Sequence, residues 1–159
     1  MHQQAYEFIS RFRSDLKIKV IDIGSRDVNG TCRALFPNAD YVGIDLYAGP
    51  AVDVVGNACE YTPGSLVDVV LSAECLEHAP EWQELIHAAS RWLVPGGLFL
   101  MTCAGPGRDA HSHIDGQLLR EGEYYANLDA MHVSVTCSRW FSNTVAIEKQ
   151  FDTYAVCRK

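Results

Sequence analysis

The sequence predicts a single α/β domain built on a mostly parallel sheet that ends in an antiparallel hairpin. Three observations support this fold class. Short apolar runs alternate with segments of helical periodicity, several of the runs end in a glycine or a carboxylate, and two β-rich segments follow each other at the end of the chain. The 159 residues suit one domain, which we assign to residues 1–159.

Apolar residues at helical spacing predict the helices. Residues 1–17 open the chain with an amphipathic helix, and residues 29–37 form a short one that stops at Pro37. Residues 80–93 place their apolar side chains on one face, and a further helix lies within 128–142. Helices therefore stand between strands along much of the chain, which favours a parallel sheet covered on both faces.

Short apolar runs predict the strands. The five that precede the hairpin span residues 18–24, 40–46, 52–57, 65–73 and 98–104, and the hairpin strands span 144–150 and 152–159. A turn is expected at Pro95-Gly96-Gly97. The connections at 46–52 and 58–66 hardly leave room for helices, so we expect a trimmed sheet with some crossover helices missing.

Composition excludes several classes of function. The net charge is −7, and no Lys or Arg occurs between Arg33 and Arg91, so the basic stripe that nucleic acid requires is absent. No apolar run approaches the roughly 18–20 residues that span a bilayer, and the first 19 residues lack the pattern of a signal peptide. We therefore expect a cytoplasmic protein with no nucleic-acid or membrane partner.

The six cysteines are widely spaced and form no C-x-x-C pair that would indicate a zinc or redox centre. Several lie in apolar segments, where cysteine behaves as a small core residue. Reduced thiols in a cytoplasmic protein are the simplest interpretation.

The stretch "VIDIGSRDVNG" at residues 20–30 indicates a strand that runs into a ligand-binding turn. Gly24 follows this first strand, and Asp45 ends the second strand 21 residues later. This spacing suits a nucleoside, because backbone N–H groups at the turn face the ligand while a carboxylate accepts hydrogen bonds from both ribose hydroxyls.

The same turn disfavours a dinucleotide. Arg26 and Val28 stand where the dinucleotide fingerprint has its further glycines, and the chain holds only one such unit. A nucleoside that carries a small carboxylate and an ammonium group fits better. Arg26 and the N–H groups of the turn would then meet the carboxylate, and Asp22 would face the ammonium.

Five segments, in this order, resemble the class I S-adenosylmethionine-dependent methyltransferases, most closely their small type 11 branch. They are "VIDIGSRDVNG", "YVGIDL", "VGNACEY", "VDVVLSAECLEH" and "LVPGGLFLMT". The resemblance covers most of the chain and implies a Rossmann-like fold with S-adenosylmethionine as cofactor. The second and third glycines of the family's first motif are missing here, which leaves the local course of the turn open.

The resemblance also implies roles for the residues at the strand ends. The cofactor-side residues are Asp22 near the methionine amino group, Gly24, Ser25 and Arg26 at the turn, Asp45 on ribose, Leu46 against adenine, Asn57 and Ala58 at the adenine edge, and Glu74 after the fourth strand. Methyl transfer is an in-line displacement in which the cofactor brings its own leaving group. A catalytic triad or metal motif is therefore not required, and we assign no metal ligand.

Histidines are the candidate catalytic residues. His78 follows the fourth strand, and His111, His113 and Asp115 alternate in the polar loop 105–123. On an extended backbone these three would project to one side, as a base with its orienting carboxylate or as a metal site. A surface loop without chemistry is the alternative.

Two tyrosines follow the candidate histidines in the sequence. Tyr124 and Tyr125 either wall an acceptor pocket or pack the loop onto the sheet.

The leading functional hypothesis is methyl transfer to an oxygen or nitrogen of a small polar or sugar-like acceptor. A non-catalytic S-adenosylmethionine-binding subunit, acting as a regulator or partner, is the alternative. A nicotinamide-dependent oxidoreductase is disfavoured by the missing glycines and the single nucleotide-binding unit.

Overall fold

The computed structural model describes all 159 residues, and a seven-stranded sheet organises them. The strands are β1 (Lys19–Ile23), β2 (Asp40–Asp45), β3 (Val54–Val55), β4 (Val67–Ala73), β5 (Leu93–Ala104), β6 (Asn143–Lys149) and β7 (Asp152–Arg158). Their order is β3-β2-β1-β4-β5-β7-β6, and β1 to β5 are parallel. β7 pairs antiparallel with both β5 and β6. The predicted fold class is therefore confirmed.

Three α-helices accompany the sheet: α1 (Gln3–Ser10), α2 (Trp82–Trp92) and α3 (Ala130–Cys137). α1 ends at Ser10, earlier than predicted. Beyond it Ser14 N–H donates to the carbonyl of Leu35 instead of to a carbonyl of the helix. None of the helices combines the length and the apolar character that crossing a bilayer requires.

Crossover helices are missing where the short connections predicted it. Residues 46–52 and 58–66 contain no α-helix. The helix expected over 29–37 is only a single 3-10 turn, Arg33–Leu35, since little chain separates Gly30 from Pro37. The sheet nevertheless keeps seven strands, so the expectation of a trimmed sheet is wrong, although β3 has only two residues.

β5 begins earlier than predicted. Pro95-Gly96-Gly97 lies inside the strand, where Gly96 has a φ of 82°. The register against β4 jumps from Val67–Leu93 to Val69–Leu98, so the expected turn is an irregularity within the strand. A glycine with positive φ allows this bend without ending the pairing.

Two apolar cores cover the faces of the sheet. The larger, with 22 buried residues, lies under α2 and α3 and includes Ile21 and Ile23. The smaller, with nine, lies under α1 and includes Val20. Alternate residues of β1 thus point into opposite cores, as a doubly covered strand requires. The carboxyl ends of the parallel strands meet at one edge, where ligands bind in such sheets.

Candidate cofactor and acceptor site

A cleft of about 1030 Å³ opens at the carboxyl ends of β1, β2 and β4. Twelve of the residues that the sequence predicted for binding or catalysis line this cleft, whereas Asp115 and Tyr125 do not. The twelve are Asp22, Gly24, Ser25, Arg26, Asp45, Leu46, Asn57, Ala58, Glu74, His78, His111 and His113. Ligands bind at the carboxyl ends of the strands in such sheets, and this rule predicted that these residues would share one cleft. The role of each residue stays a prediction.

The turn after β1 folds back on β2. Gly24 N–H and Ser25 N–H both donate to the carbonyl of Ile44, at 2.9 and 3.1 Å. Gly24 has a φ of 76°, and a Cβ there would overlap the side chain of Cys75. We expected these N–H groups to face the ligand, and the structure corrects this because they are already paired within the protein.

Two backbone hydrogen bonds orient the carboxylate of Asp45 at the end of β2. Its Oδ2 accepts from the N–H of Arg26 at 3.1 Å, and its Oδ1 accepts from the N–H of Tyr47 at 3.0 Å. Each carboxylate oxygen retains a lone pair that a ligand hydroxyl can use. The adjacent Leu46 is 57% exposed, so its apolar side chain is free to contact a ring.

The segment after β3 forms the next part of the wall. The amide of Asn57 accepts from Cys59 N–H at 2.9 Å and contacts Glu81 Oε1 at 3.4 Å, while Ala58 is buried in the larger core. Glu81 enters the cleft from the start of α2 and was not anticipated from the sequence.

Replacing Asp45 by alanine should weaken S-adenosylhomocysteine binding by about 2–3 kcal/mol, because the resemblance implies two charge-assisted hydrogen bonds from this carboxylate to ribose. Calorimetric titration of the folded variant measures this. Asp40→Ala, at the other end of the same strand, is the matched control and should bind normally. An unchanged affinity in Asp45→Ala would remove this carboxylate from the site.

Asp22 is a buried carboxyl on the floor of the cleft, with 5% of its surface exposed. Tyr41 Oη donates to its Oδ2 at 2.7 Å. Burial raises the pKa of Asp22 to about 7, even though Tyr41 and Arg33 act in the opposite direction. A ligand ammonium would restore the charged form, since an opposite charge nearby favours ionisation.

Glu74 belongs to a polar network that the sequence did not reveal. Its carboxylate lies 3.1 Å from His2 Nε2 and 3.3 Å from Arg108 Nη1, and Arg108 also pairs with Asp152. Burial acts to raise the pKa of Glu74, but His2 and Arg108 outweigh it and lower that pKa. Its charge is thus balanced from within the protein.

The three candidate histidines lie close together, with His78 next to both of the others. The ring centre of His78 lies 5.0 Å from that of His111, 6.1 Å from His113 and 5.4 Å from Tyr125. Burial, and then the neighbouring histidines, lower the pKa of His78 to about 4. His78 is therefore neutral near pH 7.

The carboxylate beside His113 is Glu123. His113 Nε2 lies 3.4 Å from Glu123 Oε1, which also accepts from the hydroxyl of Ser112 at 2.7 Å. Burial acts to raise the pKa of Glu123, but hydrogen bonds from the N–H of Arg120 and from Ser112 outweigh it and lower that pKa. An ionised carboxylate thus lies next to His113.

The expectation that Asp115 would play this part is wrong. Residues 113–115 form a turn instead of an extended segment, and Asp115 pairs with Arg120. Glu123 stands ten residues beyond His113, and no local motif connects the two.

Arg26 and Tyr47 join the histidine loop to the cofactor-side turn. Arg26 Nη2 donates to the carbonyl of His113 at 3.0 Å, and the ring of Tyr47 stacks on that of His113 at 5.2 Å. We expected the guanidinium to meet a ligand carboxylate, and here it contacts the loop backbone. Tyr124 lines the cleft, whereas Tyr125 packs against His78 and His111.

Comparisons with known proteins agree with this architecture. The structure of a DhpI–S-adenosylhomocysteine complex superposes with a TM-score of 0.71 at 18% identity, covering 98% of this chain and 83% of that one. A Burkholderia thailandensis 1,6-didemethyltoxoflavin-N1-methyltransferase superposes with a TM-score of 0.69 at 16% identity, covering 99% of this chain and 77% of that one. A putative O-methyltransferase from Nostoc punctiforme superposes with a TM-score of 0.69 at 20% identity, covering 98% of this chain and 56% of that one.

Curated protein sequences provide no match to the chain. A family model does: the model described as a methyltransferase domain matches residues 1–151. This confirms the resemblance that the five ordered segments indicated. The chain therefore belongs to the methyltransferase-domain family.

Proposed function

We propose that the protein transfers the methyl group of S-adenosylmethionine to an oxygen or nitrogen of a small polar acceptor. The observation that carries this proposal is that twelve residues, predicted from the sequence to bind the cofactor or to act in catalysis, line one cleft. The cofactor-side residues end β1 and β2 or follow β3 and β4, while a histidine loop held by Arg26 and Tyr47 folds against the turn. One cleft thus contains both a place for the cofactor and proton-accepting groups.

The chemistry of similar proteins supports the choice of cofactor and acceptor class. Among the similar structures, DhpI and NodS from Bradyrhizobium japonicum, an N-methyltransferase, contain S-adenosylhomocysteine. The Burkholderia enzyme additionally contains its small-molecule substrate. These proteins share the fold of this chain at low identity, so the acceptor itself must be found by experiment.

In the proposed complex, each cofactor group meets a matching residue. Asp22 faces the methionine ammonium, Asp45 binds the ribose hydroxyls, and Leu46 packs on adenine, whose edge meets Asn57 and Ala58. The acidic pair Asp22 and Asp45 also suits the positive charge of a sulfonium. Asp22 is buried, so water does little to screen its interaction with the ammonium.

The transfer step needs a proton acceptor when the acceptor atom is a hydroxyl oxygen. With S-adenosylmethionine bound in the cleft, the oxygen would attack the methyl carbon, the carbon–sulfur bond would break, and its electron pair would return to sulfur. His113 takes the hydroxyl proton, and the Glu123 carboxylate stabilises the resulting imidazolium. An amine acceptor loses its proton to the same group.

Purified protein incubated with methyl-labelled S-adenosylmethionine and a panel of small hydroxyl and amine compounds should form labelled product. Calorimetry should show binding of S-adenosylmethionine and S-adenosylhomocysteine and no response to NAD. Nicotinamide binding without a response to either sulfur nucleoside would overturn the proposal. Cofactor binding without product across the panel would favour the non-catalytic alternative.

A further inference from the structure

A second chemical feature lies beside the candidate base. Glu77, His78 and His111 each present a ligand atom within 4.8 Å of the others. Glu77 and His78 belong to the 3-10 turn Leu76–His78 that follows β4, and His111 reaches them from the loop. The methyl-transfer mechanism above does not use Glu77, although it is a fully buried carboxyl.

Two atoms of this cluster are buried without a hydrogen-bond partner. They are Glu77 Oε2 and His78 Nδ1. The other oxygen of Glu77 accepts from the N–H of Ala104 at 3.2 Å, which fixes the orientation of the carboxyl. A buried polar atom left unpaired costs about 1–3 kcal/mol, so two such atoms in one cluster call for a common partner.

We propose that Glu77, His78 and His111 bind a divalent transition-metal ion, with Zn²⁺ as the best-matched candidate, at the acceptor end of the cleft. Two imidazoles and one carboxylate form a donor set that zinc accepts and that leaves coordination positions open. The hydrogen bond from Ala104 to Glu77 is the kind of outer contact that orients a metal ligand.

Charge and distance are compatible with this site. Glu77 is fully buried and makes no ion pair with a basic side chain, so a metal ion would supply the positive charge that its carboxylate lacks. Ligand atoms at about 2.0–2.2 Å from zinc lie roughly 3–3.5 Å apart. The three ligand atoms, which lie within 4.8 Å of one another, must therefore draw closer together when the ion binds.

The other group with metal-ligating side chains provides a contrast. His2, Glu74 and Asp152 also converge, but Arg108 lies among them and pairs with both carboxylates. A guanidinium already supplies the positive charge there. No such cation contacts the Glu77 cluster, where Tyr125 packs its ring against His78 and His111.

The use of the ion in catalysis rests on the proposed function. His78 and His111 both line the cleft, so an open coordination position faces the space where the acceptor must lie. A bound cation lowers the pKa of a coordinated hydroxyl and holds its oxygen in place. His113, which keeps Glu123 as its own partner, then receives the proton. The acceptor class that this site selects is a small molecule with a metal-binding oxygen.

The test is direct binding of Zn²⁺ to the full chain after removal of metals with a chelator. Calorimetry should show one site, and His111→Ala should weaken it at least about 100-fold, since one of three ligands is lost. His132→Ala, which removes an exposed histidine on α3, is the matched control and should bind like the unchanged protein. Absence of binding, or equal binding by the His111 variant, would refute the site.

Cobalt absorption separates this site from the six cysteines. Co²⁺ bound by nitrogen and oxygen should show only weak visible bands, whereas an intense thiolate charge-transfer band would assign the ion to cysteine and overturn the proposal. Glu77→Gln should weaken Zn²⁺ binding similarly. If burial of the amide prevents folding of that variant, His111→Ala decides the question alone.

These titrations contain neither cofactor nor acceptor. Failure of the metal site therefore leaves methyl transfer standing, and failure of methyl transfer leaves metal binding measurable.

Discussion

Replacing His113 by alanine should lower the turnover of methyl transfer to a hydroxyl acceptor by roughly 10²–10⁴-fold, which is the range for losing a general base. Cofactor affinity should change little, because the cofactor-side groups lie at the strand ends and not on the loop. Turnover at saturating acceptor near pH 7.5, together with calorimetric titration of S-adenosylhomocysteine, measures the two effects separately.

Three further variants make this prediction specific. Glu123→Gln should lower turnover less than His113→Ala, since it removes only the carboxylate that stabilises the imidazolium. His111→Ala, tested in parallel, should also lower turnover, whereas His132→Ala should have no effect. Added imidazole should restore part of the activity of His113→Ala if the lost group is a base. A loss of less than about tenfold, without rescue, would reduce this part of the loop to a structural connection.

Replacing Asp22 by asparagine should stabilise the ligand-free protein, by up to about 4 kcal/mol near pH 8. The carboxyl has a pKa of about 7 in the folded protein against an ordinary value of 3.8. The folded state therefore holds a proton that the unfolded state releases between these values, so the free energy of unfolding falls as the pH rises from about 4 to about 7. Asparagine removes this loss and still accepts from Tyr41 Oη.

Urea unfolding at two pH values tests the sign of this effect. The advantage of Asp22→Asn should shrink to about 2 kcal/mol near pH 5, where less of the penalty has developed. Asp40→Asn, exposed at the start of β2, is the control and should show no such trend. An advantage that is equal at both pH values would contradict the assignment to this carboxyl.

The same residue should link cofactor binding to proton release. Because a ligand ammonium favours the carboxylate, S-adenosylmethionine binding near pH 6.5 should release a proton from Asp22. Calorimetry in two buffers with different ionisation enthalpies measures that proton, and Asp22→Asn should abolish the difference while weakening binding.

The elements that the sequence predicts most accurately are those decided by local pattern. Apolar runs located five strands and the closing hairpin, and Asp22 and Asp45 follow from their places on β1 and β2. This succeeds because burial on a sheet imposes a short-range rule on successive side chains. The carboxyl ends of parallel strands share an edge, so residues far apart in the chain were assigned to one cleft.

Backbone hydrogen bonding near the site depended on tertiary contacts. From the sequence we expected the N–H groups of the turn to face the ligand. Those of Gly24 and Ser25 donate instead to the carbonyl of Ile44, because β2 lies beside the turn. The Pro95-Gly96-Gly97 turn is part of β5 because β4 pairs with the chain on both sides of it, at Leu93 and again from Leu98, where β7 also begins to pair.

The chemistry of the loop was decided only by the tertiary structure. The sequence determined that His111 and His113 stand close together in a polar connection after β5, with acids nearby. It did not determine that Glu123, instead of Asp115, would lie beside His113, or that Glu77 would face His78 and His111. A strand has a fixed period of two that places its side chains, whereas a loop has no period, and its partners depend on how the chain closes on itself.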